Sequence, residues 1–201
     1  MALSKIQAES VNLADDFAFS GTVSGAGSEG LVHLETQTGT DVASVKFGND
    51  VVNINNYKKY YVIGRTLPAT DGAAQRLRFM DTSENDISVA NAYRGSVNSG
   101  TTANATYVNI DGNPGSVANI ESGAIFYSHI DIEHLADFDF QANVSSRITF
   151  INTSGNWSYK LSDYGARFTN SATQPAGFHF YLSSGNYARV RISLFGVTEG
   201  T

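Results

Sequence analysis

The chain has 201 residues, a formal net charge of −6 and no cysteine, which excludes disulfide staples, thiolate metal sites and thiol nucleophiles and leaves apolar burial and hydrogen bonding to hold the fold. With 13 Lys and Arg against 19 Asp and Glu, it also lacks the clustered cations that draw affinity from counterion release, so nucleic acid is excluded as an expected partner. Charged residues make up only 16%, while 12 Phe and 10 Tyr stand among abundant Ser, Thr, Asn and 19 Gly; aromatic and β-branched side chains suit pleated surfaces and small polar residues supply bends, so an all-β chain is expected.

Residues 1–28 come first and differ in character from the rest of the chain. The opening MALSKIQAES has one Lys and no apolar run of about 7 to 15 residues behind it, so it does not read as a secretory signal, and no stretch predicts membrane insertion. Leu3, Ile6, Val11 and Leu13 keep neither a helical nor a strand period, and Phe17 and Phe19 alternate with Ala18 and Ser20 ahead of the Gly-rich GTVSGAGSEG. A segment so poor in apolar groups cannot build its own core. These six side chains are the expected anchoring contacts to a partner surface or to other copies of the chain.

Strand-and-turn patterning begins near Gly30. Strands are predicted over 31–37, 42–47 and 59–66, followed by the turn Thr70-Asp71-Gly72 and an alternation of Leu77 and Phe79 against Arg76 and Arg78. Asn85 to Arg94 suggests a short helical turn, and the Ser/Gly/Thr/Asn run from Gly95 to Thr106 reads as a long exposed loop with little to bury. Further strands are predicted over 124–132, at Ile148 and Phe150 against Arg147 and Thr149, over 158–162, and at Phe178, Phe180 and Leu182. In the last strand Ala188, Val190, Ile192 and Leu194 share one face and Arg189, Arg191 and Ser193 the other. About eight to ten short strands with polar connections predict a jelly-roll-like β-sandwich over residues 29–201, preceded by an extended N-terminal anchoring segment.

Two clusters carry possible chemistry. As a strand, Tyr127, His129, Asp131 and Glu133 share a face in steps of about 7 Å. Such a face is first of all a solvated one. His129, Asp131 and Glu133 are the candidate metal ligands, and the two carboxylates would be the acids of a glycan-degrading site if their separation suited sugar hydrolysis. Trp157, Tyr159 and Tyr164 suggest a stacking platform for a sugar ring, with Trp157 and Tyr164 as the candidate ligand-binding residues and Tyr159 expected in the core. No nucleophile elbow, zinc-protease, P-loop or dinucleotide motif is present. The chain is therefore expected to be non-enzymatic, with no catalytic residue and no cofactor.

Residues 4–27, SKIQAESVNLADDFAFSGTVSGAG, resemble an N-terminal or inter-domain element of phage fibre proteins that ends in a phrase of the type F-x-F-[ST]-G-T-V-[ST]-G. Residues 44–80, with the turn Leu67-Pro68-Ala69-Thr70-Asp71-Gly72, and residues 178–197, closing on Leu194-Phe195-Gly196-Val197, look like a fibre-tip β-sandwich. The likeness is to tail-fibre and related virion structural proteins of tailed marine or cyanobacterial bacteriophages, and residues 82–122 have no part in it. It implies a virion-surface protein, assembled in the host cytoplasm as a homotrimer, whose partners are other tail or capsid proteins and, as a candidate, a host-surface glycan. A short tail-fibre or head-fibre protein for host attachment is the leading expectation. A capsid decoration protein cementing the head lattice and a carbohydrate-binding or glycan-degrading module are the alternatives.

Overall fold

The computed structural model of the chain describes residues 30–57, 59–88, 92–97, 100–110, 126–133, 142–152, 154–166 and 175–198. The expected anchoring residues Leu3, Ile6, Val11, Leu13, Phe17 and Phe19 lie outside the described residues. Twelve strands run through the described part: β1 (Gly30–Val42), β2 (Ser44–Phe47), β3 (Lys59–Pro68), β4 (Gln75–Met80), β5 (Tyr93–Val97), β6 (Gly100–Ala105), β7 (Val108–Asn109), β8 (Phe126–Glu133), β9 (Ala142–Ile151), β10 (Trp157–Ala166), β11 (Gly177–Leu182) and β12 (Tyr187–Thr198). They form an eight-stranded sheet in the order β1-β12-β3-β8-β9-β10-β5-β6 and a four-stranded sheet in the order β2-β11-β4-β7. The expected all-β sandwich is the observed fold.

Its topology arises from nested pairing. β1 pairs with β12, β2 with β11, β3 with β8 and β4 with β7, all antiparallel. The chain is thus one long two-stranded ribbon folded back on itself, and β12 beside β3 and β11 beside β4 join its successive turns into the two sheets. That rolled ribbon is a jelly roll. The two insertions, β5–β6 and β9–β10, extend the larger sheet beyond β8.

Period-two patterning explains which faces turn inward. Leu77 and Phe79 in β4, Val144, Ile148 and Phe150 in β9, Phe178 and Phe180 in β11, and Ile192 and Leu194 in β12 are all buried. In β12 a register shift between Tyr187 and Arg189 resets the alternation, so that Tyr187 enters the core and Ala188 is only half-buried. Aromatic rings knit the sheets together: Tyr60 of β3 meets Phe178 of β11 edge-on at 5.3 Å, Phe178 meets Phe79 at 5.8 Å, and Phe79 stacks on Tyr93 of β5 at 6.0 Å. Pairs of this kind contribute roughly 0.5–1.5 kcal/mol each beyond the area they bury. Among the described residues the core cluster runs from Val45 to Leu194.

The region from 85 to 106 departs from expectation. No helical turn occurs among its described residues; Asp81 instead accepts backbone hydrogen bonds from Ser83 and Asn85, and Asp86 bridges to Met80. The expected loop contains β5 and β6, whose Ser, Gly and Thr residues are ordered by backbone pairing, β5 on β10 and β6 on β5. Tyr93 fixes the start of this hairpin. Its hydroxyl donates to the Ile87 carbonyl at 2.8 Å and accepts from the Phe79 amide at 3.0 Å, while Ser146 of β9 donates to the Ile110 carbonyl at 2.7 Å. These bonds tie the extended part of the large sheet to the small one.

Candidate binding face

The two outward faces differ in how they treat charge. On the four-stranded sheet, Arg78 donates to Asp86 Oδ2 at 3.0 Å, and His179 Nδ1 donates to Asp86 Oδ1 at 2.7 Å. Burial alone would raise the Asp86 carboxyl, but the hydrogen bonds and charge of Arg78 and His179 outweigh it and hold it below the ordinary carboxylate value. Burial lowers the His179 imidazole more than Asp86 raises it, so the ring is neutral at pH 7 and Arg78 supplies the positive charge that Asp86 needs. Arg78 also lies over the Tyr181 ring and Arg76 over the Tyr107 ring, at 5.0 and 4.1 Å. Arg76 and Arg78 are thus held by partners within the chain, while Lys46, paired with His179 across the strands, is exposed on the same face.

The outward face of the eight-stranded sheet is assembled from rows that run across the strands. One row is set by the pairing of Thr38 with Arg191, Arg191 with Arg65, Arg65 with Tyr127, Tyr127 with Thr149, and Thr149 with Tyr159. A neighbouring row towards the Thr40 end places Arg189 beside Thr40 and Leu67, and Trp157 beside Ile151. Arg65, Arg189 and Arg191 are exposed, and with Gly39, Thr40 and Leu67 they line an open depression of about 340 Å³. Ligand pockets start at about 300 Å³.

Large apolar groups on this face also meet solvent: Trp157 is 63% exposed, Tyr159 70%, Ile63 46% and Leu161 44%. Tyr159, expected in the core, is instead the most exposed of these, because it shares its strand face with Trp157 and Leu161, turned away from the sandwich interior. Lys59–Glu133, Arg78–Asp86 and His179–Asp86 are ion pairs, and neither Arg189 nor Arg191 has one among the described residues. Exposed rings therefore share one surface with Arg189 and Arg191, which have no carboxylate partner among the described residues.

Of the candidate residues read from sequence, Trp157 lies on this face. Tyr164 pairs with Val144 in the register of β10 on β9, and its side chain lies outside the described set. Asp131 and Glu133 lie on the same outward face as each other, with Ile130 and Ile132 buried on the opposite one, as the alternation predicts. Glu133 accepts from Lys59, and although burial alone would lower the Lys59 ammonium, Glu133 and Tyr61 raise it above its ordinary value. The side chain of His129 lies outside the described set, and no trio of His, Asp and Glu able to hold an ion occurs among the described residues.

The arginine group as a whole is not legible in the sequence. Arg189 and Arg191 can be read there as the wet face of the last strand, but Arg65 joins them only through the β3–β12 register. Comparison of the chain with protein-family models, with curated proteins and with solved structures gives no match. What is shown is thus the all-β sandwich and the composition of its two outer faces.

Proposed function

We propose that the chain is a structural protein of a bacteriophage particle, a short tail-fibre or head-fibre component that is held through residues 1–28 and presents its jelly roll outward as a homotrimer. The observation that carries this reading is the polarity of the domain. Gly30 pairs with Thr198, so the described domain is entered and left at one end of the large sheet. The depression lined by Arg65, Arg189 and Arg191 lies towards the other end, beside Gly39 and Thr40. Ten residues of β1 separate Gly30 from Thr40, which at about 3.3 Å each is roughly 30 Å. A domain gripped at its entry end projects that face away from its support.

Residues 1–28 are too poor in apolar groups to fold alone. Their burial against a particle socket or against copies of themselves would order them on assembly. Linked copies would then raise avidity by roughly 10²–10⁴ over a single weak contact, with a host-surface glycan as the ligand class. The test pairs the full chain with residues 29–201. The full chain is expected to run in native mass measurement at three times its 21.5 kDa and to join particles that lack it. The shorter chain is expected to melt as cooperatively but to stay off the particles; normal incorporation would sink the proposal, and incorporation at capsid lattice points would favour a decoration protein instead.

A further inference from the structure

We infer that Arg65, Arg189 and Arg191 form an anion subsite for an acidic saccharide, and that the sugar chain runs from there across the strands to Tyr159 and Trp157. This holds whether or not the chain sits on a particle. Arg191 stands directly opposite Arg65 on adjacent antiparallel strands, and Arg189 lies two residues from Arg191 on the same face. Like charges placed directly opposite one another work against the sheet. Their convergence on one depression of about 340 Å³ makes sense for a site that receives an anion, since planar guanidinium groups grip carboxylate or sulfate oxygens in pairs.

The rest of the row favours a sugar as the carrier of that anion. Arg65 and Tyr159 occupy one transverse row, separated by three strand spacings of about 4.8 Å each, or about 14 Å. Thr38 and Thr149 in the same row and Thr40 in the neighbouring row are exposed hydroxyl residues able to bond to a polyol, and the exposed rings of Tyr159 and Trp157 offer flat apolar faces to the C–H side of a sugar ring. A nucleic acid would call for a basic track along its phosphates, whereas these cations are gathered at one end of the row in a chain of net charge −6.

The full-length protein would be titrated with polygalacturonate, dextran sulfate, unmodified dextran and oligo(dT). Polygalacturonate or dextran sulfate is expected to bind and to weaken with added salt, while unmodified dextran does not bind; the tighter of the two acidic polymers identifies carboxylate or sulfate as the preferred group. The double variant Arg189→Glu/Arg191→Glu should bind the acidic polymer at least about tenfold more weakly. Its melting temperature should hold, because Arg189 and Arg191 are exposed. Tyr159→Ala should weaken binding severalfold and leave the salt dependence unchanged. Unchanged binding by the double variant, equal affinity for oligo(dT), or indifference of the parent protein to both acidic polymers would overturn the assignment. So would a double variant that changes the oligomeric mass but not polymer binding, since the face would then join copies of the chain.

Discussion

On the small sheet, Arg78 leans on Asp86 and Tyr181, and Arg76 lies over Tyr107. On the large sheet, Arg189 and Arg191 project beside Arg65 with no ion pair for either among the described residues, and Ile63, Trp157, Tyr159 and Leu161 stand exposed nearby. Both faces cover the same aromatic core and both are built from alternating strands, so neither burial nor secondary structure accounts for the contrast. A surface that only meets water gains by neutralising its own charges. One that leaves Arg189, Arg191 and bare rings in place retains the means to hold something else.

The two faces should respond differently to substitution, and the largest effect should come from what they share. Phe178→Ala removes the ring that touches both Tyr60 and Phe79 and should cost about 3–5 kcal/mol in urea unfolding, lowering both faces together. Separate transitions for the two sheets would mean that they are not one cooperative unit. Asp86→Ala should cost about 2 kcal/mol, because Arg78 and His179 each lose a charge-assisted partner in a half-buried setting. A cost near zero would place the small face on the same footing as the large one.

The pH dependence sharpens the same contrast. His179 has a lower pKa in the folded protein than its ordinary value of 6.5, so the unfolded chain takes up a proton first as pH falls. Its contribution is full above that value and is lost as pH drops through 6.5 towards the folded pKa. Asp86, held below 3.8, adds a second loss in the same direction, beginning as pH falls through that value. The melting temperature should therefore decline from pH 7.5 to 5, and His179→Gln should flatten the decline; an unaltered slope would assign it elsewhere. The smallest effect is expected at Trp157→Ala, which at 63% exposure should change stability by no more than about 0.5 kcal/mol. A larger loss would make Trp157 a structural residue and remove it from the binding row.

Much of the sandwich is legible in the sequence, because a strand with one wet face repeats every second residue. Leu77 and Phe79, Ile148 and Phe150, and Phe178 and Phe180 are buried where alternation puts them. The hairpin of β5 and β6 is not legible, since its Gly-Ser and Thr-Thr stretches owe their order to backbone pairing, β5 on β10 and β6 on β5, and contain no apolar period. The binding face is hidden for a related reason. Arg65 is far along the chain from Arg189 and Arg191, and strand register, which no single strand encodes, is what brings them together. Trp157 is readable because it sits beside an Asn-rich turn, whereas the exposure of Tyr159 depends on which side of β10 has a sheet packed against it.

The nested ribbon also governs when the domain can come into being. β12 lies between β1 and β3 in the large sheet, so two early strands lack their shared neighbour until β12 has left the ribosome. Contacts that span so much of the chain close slowly. During that wait β1, thirteen residues long, offers a bare hydrogen-bonding edge to any other nascent copy. Synthesis on clustered ribosomes would make that exposure a matter of timing, with the speed of translating through β12 setting the balance between a finished domain and strand exchange among neighbours.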